Sequence, residues 1–176
     1  PSLQKSTSAR GKTRIWSAAC SSGQEPYSIA IALAEKRLHR TAKVRILCTD
    51  INSQMVKRTR SGTFHTNELR GLPDGHRLQW FDQIGSDLVV KDELRNLMLC
   101  NKLNLFGQWP FAGPVDVIFC RNALIYFNRD IQSQLIRRFA AVQDPGGFLY
   151  LGHSESVHGI KDYYERMENT VYRRLT

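Results

Sequence analysis

No apolar stretch in this 176-residue chain approaches the ~20 residues of a membrane-spanning helix, and PSLQKSTSARGK at its start holds no hydrophobic signal region. The expectation is a protein neither inserted in a membrane nor secreted. The four cysteines, Cys20, Cys48, Cys100 and Cys120, form no CxxC pair, so they read as small buried hydrophobes kept reduced in a cytoplasmic protein, and no metal site is expected. Neither GxGxxG nor a P-loop is present, which removes the usual phosphate cradles. A GxSxG nucleophile elbow is absent, which argues against a Ser/His/Asp hydrolase. Acidic residues are scarce at one end: residues 1 to 60 carry twelve Lys/Arg against Glu25, Glu35 and Asp50, and so hold the whole net charge of +9. That asymmetry fits either an acidic partner or a solvated helix flank.

With 41% apolar and 23% charged residues, the composition is that of one ordinary globular domain able to bury a core. Residues 1 to 13 are Ser/Lys/Arg/Gly-rich and aperiodic, and read as a tail or linker remnant. From Arg14, RIWSAAC is a short apolar run ended by SSGQEP; Pro26 suits the first turn of a helix. Ile29, Ala30, Leu33, Ala34 and Leu38 follow at helical spacing. VRILCTD (44–50) reads as a second strand, and SQMVKRTRSG as a helix stopping near Gly62. Strand, helix, strand, helix is the grammar of a parallel α/β sheet. Residues 64 to 103 break it: LQWFDQ and GSDLVVKDELRNLMLCNKL read as a helix end followed by short antiparallel strands, a small insert. The grammar resumes with VDVIFCRN (115–122), a helix marked by Ile131, Leu135, Phe139 and Val142 behind the capping residues Asn128 and Asp130, a strand FLYLGHSE, and a closing strand TVYRRL. The fold class is α/β: a doubly wound, Rossmann-like sheet with a small antiparallel β-subdomain.

In such sheets ligands sit beyond the carboxyl ends of the strands. Polar clusters fall there at 21–28, 49–52, 120–127 and 152–156, with Asn104 and Leu105 at a further strand end. Glu25, at a helix start behind the lone Gly23, can cap the helix or hold a cationic ligand group. Asp50 can accept both hydroxyls of a ribose or close an Asx turn in DIN. Arg121, Asn122 and Tyr126 directly follow a buried strand; Arg121 needs solvent, a carboxylate or a ligand, and Tyr126 is either core or a site residue. His153, His158 and Glu155 read as structural or loop-pinning groups. A ribose-binding acid without a phosphate cradle points toward S-adenosylmethionine.

WSAACSSGQEPYSIAIAL, LCTDIN, VDVIFCRNALIYF and DPGGFLYLGHSES, in that order and spacing, closely resemble the CheR-type chemotaxis receptor methyltransferases, from about Arg14 to Thr176. The resemblance implies a class I methyltransferase fold using S-adenosyl-L-methionine and releasing S-adenosyl-L-homocysteine. It implies a bacterial, cytoplasmic enzyme that methylates glutamate side chains on the cytoplasmic domains of transmembrane chemoreceptors, giving glutamyl methyl esters. It places Glu25, Asp50, Asn104, Leu105, Arg121 and Asn122 on the cofactor, with Tyr126 and Arg121 at the methyl transfer. Residues 64 to 103 match the family's β-subdomain, which in some members grips the receptor's C-terminal peptide. Gln24 stands where the family usually has Glu, and the turn around Gly85 is shorter than in members that bind that peptide. The family's N-terminal helical domain has no counterpart in residues 1 to 13, so the expectation is a fragment of a longer protein or a reduced version. The competing readings are a methyltransferase-like module that binds cofactor or partners without methylating, and a nucleic-acid methyltransferase. The latter lacks an NPPY motif and an interleaved aromatic-basic stripe, so no nucleic-acid partner is expected.

Overall fold

A computed structural model describes residues 12–41, 43–110, 113–153 and 159–176. Its strands are β1 (Lys12–Ala18), β2 (Lys43–Asp50), β3 (Thr63–His65), β4 (Phe81–Ile84), β5 (Asp87–Val90), β6 (Met98–Lys102), β7 (Val117–Cys120), β8 (Phe148–Leu151), β9 (Tyr164–Glu168) and β10 (Val171–Arg174). Its helices are α1 (Gln24–Glu35), α2 (Leu38–Thr41), α3 (Ser53–Ser61), α4 (Asp74–Trp80), α5 (Asp92–Arg95) and α6 (Arg129–Ala141).

Seven strands form one sheet in the order β6-β2-β1-β7-β8-β10-β9, parallel except for β10, which runs antiparallel to both neighbours. Alternation along the strands sends side chains to two cores. Ile15, Val44, Ile46, Cys48, Val117 and Cys100 face α1 and α3. Trp16, Ile118, Cys120, Leu149 and Leu151 face α6, which buries Leu135, Ile136 and Phe139 against them. α6 starts where Asn128 Oδ1 accepts the Ile131 amide at 3.0 Å; the cap is Asn128, with Asp130 in the first turn. α3 ends at Gly62 in the left-handed conformation, φ 64°.

Four expectations change. The first strand begins at Lys12, not at Arg14. The helix expected to run on through Leu38 stops at Glu35; Arg37 takes φ 56° and the four-residue α2 follows. MLCNK, expected among the insert's antiparallel strands, is β6, paired parallel with β2 so that Cys48 lies opposite Cys100. Among the described residues, β3, β5 and β4 make the small antiparallel sheet. β9 was not anticipated: of YERME only Tyr164 is buried, so the segment shows no alternating pattern.

Candidate functional site

The ends of β6, β2, β1 and β7 lie side by side on one edge of the sheet, and the chain turns sharply at each. After β1, Ala19 (φ 62°), Ser21 (φ 50°) and Gly23 (φ 97°) all take left-handed conformations. Three neighbours hold this strained turn. Cys20 N donates to Thr49 O at 2.9 Å, Thr59 Oγ1 donates to Ser21 O at 3.0 Å, and Ser21 N donates to Asp50 Oδ2 at 2.9 Å. Gly23 is required from behind: a Cβ there would lie 3.0 Å from Thr59 Oγ1 and 3.1 Å from Thr59 Cα. The close backbone approach at Gly23 is therefore to α3.

Asp50 ends β2 and joins two turns, because its other oxygen accepts the Asn52 amide at 2.8 Å. The Asx turn is formed, and each carboxylate oxygen takes one backbone amide. A carboxylate has about four lone-pair sites, so acceptor capacity for two hydroxyls remains. Glu25, in the first turn of α1, receives a hydrogen bond from Ser17 Oγ on β1 at 2.8 Å. Gly23, the residue before the helix, makes no side-chain cap.

Asn104 and Leu105 open the loop after β6, two residues beyond a strand end tied to β2 by the Leu103 amide on Asp50 O at 2.9 Å. Asn104 Oδ1 accepts the Phe106 amide at 3.0 Å. Two residues that sequence reasoning missed lock this loop. Arg138 of α6 donates from Nη1 to Leu105 O at 2.6 Å and from Nη2 to Gly107 O, with its guanidinium 4.2 Å above the Trp109 ring. Trp109 donates to Leu105 O at 3.2 Å and stacks on Phe139, their centroids 5.6 Å apart. Neither residue shows a local pattern, because Arg138 reaches the loop, and Trp109 its Phe139 partner, across about thirty residues of chain.

After β7, Arg121 is exposed, Asn122 is left-handed (φ 59°), and Tyr126 is 80% exposed. The reading of Tyr126 as packed core is excluded. Gln132 of α6, also missed, holds this loop by donating from Nε2 to Leu124 O at 2.9 Å and Phe127 O at 3.0 Å. Phe106 meets Phe127 edge-on at 4.9 Å, which joins the two loops. Glu25 and Arg121 share a groove of about 660 Å³ floored by Ile29, Phe119 and Tyr150 on the α1 side of the sheet. Asp50 and Asn104 lie outside that groove. His153 is exposed, while Glu155 and His158 fall outside the described residues.

Burial pushes the Cys20 thiol up to about 12, so it stays protonated at neutral pH despite its place in the turn. The edge thus offers a carboxylate for a diol, a second carboxylate for a cationic group, an amide beside an aliphatic side chain, and an exposed phenol. Groups of these kinds can accept hydroxyl and ammonium donors, and no phosphate cradle stands among the described residues. Among solved structures, the citrinin polyketide synthase CMeT domain superposes with a TM-score of 0.52 at 17% identity over 86% of this chain and 31% of that one. Sequence relatives extend the likeness beyond fold. A probable chemotaxis protein methyltransferase of Rhizobium etli is 39% identical over 100% of this chain and 68% of its own length. The chemotaxis protein methyltransferase of Escherichia coli is 36% identical over 92% of this chain and 58% of its own length. Chemotaxis protein methyltransferase 1 of Vibrio cholerae is 41% identical over 86% of this chain and 57% of its own length. The chain thus spans about three-fifths of the curated relatives it matches. Residues 1–173 match the family described as CheR methyltransferase, SAM binding domain. The chain belongs to the CheR methyltransferase family, as an α/β domain that binds S-adenosylmethionine.

Proposed function

We propose that the protein containing this domain methylates glutamate side chains on the cytoplasmic helices of chemoreceptors, as part of chemotaxis signalling. The observation that carries this reading is the family match over residues 1–173, supported by relatives named chemotaxis protein methyltransferase. When bound, S-adenosylmethionine supplies a methyl group on a positively charged sulfur. A glutamate carboxylate is already ionised at neutral pH, so the chain needs no general base. What it must provide is alignment and exclusion of water, and positioning of that kind supplies on the order of 7–11 kcal/mol.

In this reading Asp50 accepts the ribose hydroxyls while its remaining lone pairs fix the turns after β1 and β2. Glu25 holds the amino group of the cofactor's amino-acid portion. Asn104 and Leu105 flank the adenine on a loop stiffened by Arg138 and Trp109. Arg121 and Asn122 complete the cofactor side, and Tyr126 stands at the reacting methyl, where a phenol suits a sulfonium by cation–π attraction or by its oxygen. Cys20, kept protonated by burial, does not compete for the methyl.

The test is transfer of radiolabelled methyl groups to a receptor cytoplasmic fragment, with base-labile counts marking the ester. Tyr126→Phe is expected to lower turnover while S-adenosylhomocysteine affinity stays near wild type. Equal losses in both would remove Tyr126 from the reaction. Cofactor binding without base-labile transfer would instead support a module that binds without methylating.

A further inference from the structure

Parallel strands are found with both faces covered, because each crossover lays a helix on the sheet. Here α1 and α3 cover one face of β6, β2 and β1, and α6 covers the opposite face around β7 and β8. The crossover from β6 to β7 holds no helix among its described residues. The α6-side face of β6, β2 and β1 is left as a cavity of about 490 Å³. Leu47, Leu99, Leu103 and Val115 line it, with Leu99 49% exposed.

The rim of this face is basic in an unusual way. Lys12 and Arg14 alternate onto it from β1, and Lys43 and Arg45 from β2; all four are exposed. The register sets Lys12 directly opposite Lys43 and Arg14 directly opposite Arg45. Neighbouring strands lie only about 4.8 Å apart, and like charges opposed across a pair destabilise a sheet. Among the described residues no carboxylate forms an ion pair with Arg14, Lys43 or Arg45. An acidic surface carrying an apolar stripe is complementary to this face, its carboxylates to Arg14, Lys43 and Arg45 and its stripe to the aliphatic floor. Nucleic acid is the poorer match, since bases need exposed aromatic faces to stack on and Trp16 beneath this floor is fully buried.

We propose that this face of β6, β2 and β1 docks an acidic amphipathic helix of a partner protein, with its apolar stripe on Leu47 and Leu99 and its carboxylates between the opposed cations. The site lies on the side of the sheet opposite the Glu25–Arg121 groove, and the proposal stands apart from the methyl-transfer reading. The seven residues of β1 span about 23 Å, the length of roughly fifteen helical residues, which matches helix-in-groove recognition.

Fluorescence anisotropy with three probes tests it: a labelled Glu-rich peptide of about eighteen residues with leucines at helical spacing, a scrambled peptide of the same composition, and single-stranded DNA of equal charge. The helical peptide is expected to bind about tenfold more tightly than the scrambled one, and Lys43→Gln with Arg45→Gln to weaken it about tenfold. Leu99→Asn is expected to weaken it as well, whereas Arg166→Gln on the distant β9 leaves it unchanged. The same Lys43→Gln/Arg45→Gln chain should unfold at no lower temperature than wild type, because it loses a like-charge opposition; this separates lost docking from lost fold. No binding of the helical peptide, equal binding of the scrambled one, or indifference to the paired substitution would overturn the proposal. DNA binding more tightly than the peptide with the same dependence on Lys43 and Arg45 would also overturn it, in favour of a nucleic-acid surface.

Discussion

Gly23 shows how one residue couples the site to the core behind it. Its φ of 97° lies where side chains are strained, and the space a Cβ needs is filled by Thr59. Gly23→Ala is therefore expected to lower stability by about 1–3 kcal/mol. In urea unfolding the midpoint should fall with the slope unchanged; an unmoved midpoint would show that Thr59 yields freely. The sequence shows a glycine in a turn but not what fills the space beside it, because Thr59 is thirty-six residues away. Glu25 is similar. Spacing allows it to cap α1 or to serve a ligand, and the Ser17 hydroxyl that orients it becomes visible only once β1 and α1 are packed. The Asx turn of Asp50 was legible, since it closes two residues along the chain; its bond from the Ser21 amide, twenty-nine residues away, was not.

Elements whose partners lie nearby in sequence were legible, and those defined by distant partners were not. β2 and β7, the stop of α3 at Gly62 and the cap of α6 at Asn128 follow from local pattern. β6 reads as part of the insert because five residues, MLCNK, carry no mark of the β2 strand they pair with about fifty residues earlier. The loop after β6 is the sharper case. Its shape rests on Arg138 of α6, which reaches Leu105 O and Gly107 O. Arg138→Met keeps the aliphatic stem and removes both donors. It should cost about 1.5–3 kcal/mol, the worth of hydrogen bonds to a charged group. It should also speed amide exchange at Phe106 and Gly107, whose protons are held by Asn104. Unchanged exchange there would mean that Trp109 alone fixes the loop.

Across the molecule, the first helical layer is fastened to the small α5 through Glu93. Its carboxylate meets His39 Nε2 at 2.8 Å and Arg40 Nη2 at 2.6 Å. The hydrogen bond from His39, then that from Arg40, holds the Glu93 carboxyl below its ordinary 4.5. A carboxyl lowered in the folded state lends stability that is present above the unfolded value and fades as pH falls through the folded one. Glu93→Gln should therefore be less stable than wild type above pH 4.5, with the difference shrinking as the pH is taken lower. Parallel unfolding curves at all pH values would show that the charge of Glu93 contributes nothing.

At the same scale, strand order gathers Asn104, Asp50, Glu25 and Arg121 from four strand ends onto one edge, and the family match covers nearly the whole chain. The most direct measurement is a calorimetric titration of this chain, and of its Asp50→Ala variant, with S-adenosylhomocysteine. The account predicts micromolar or tighter binding by the wild-type chain, weakened in the variant by about 1.5–3 kcal/mol. A folded wild-type sample that gives no binding heat, or a variant that binds equally well, would contradict it.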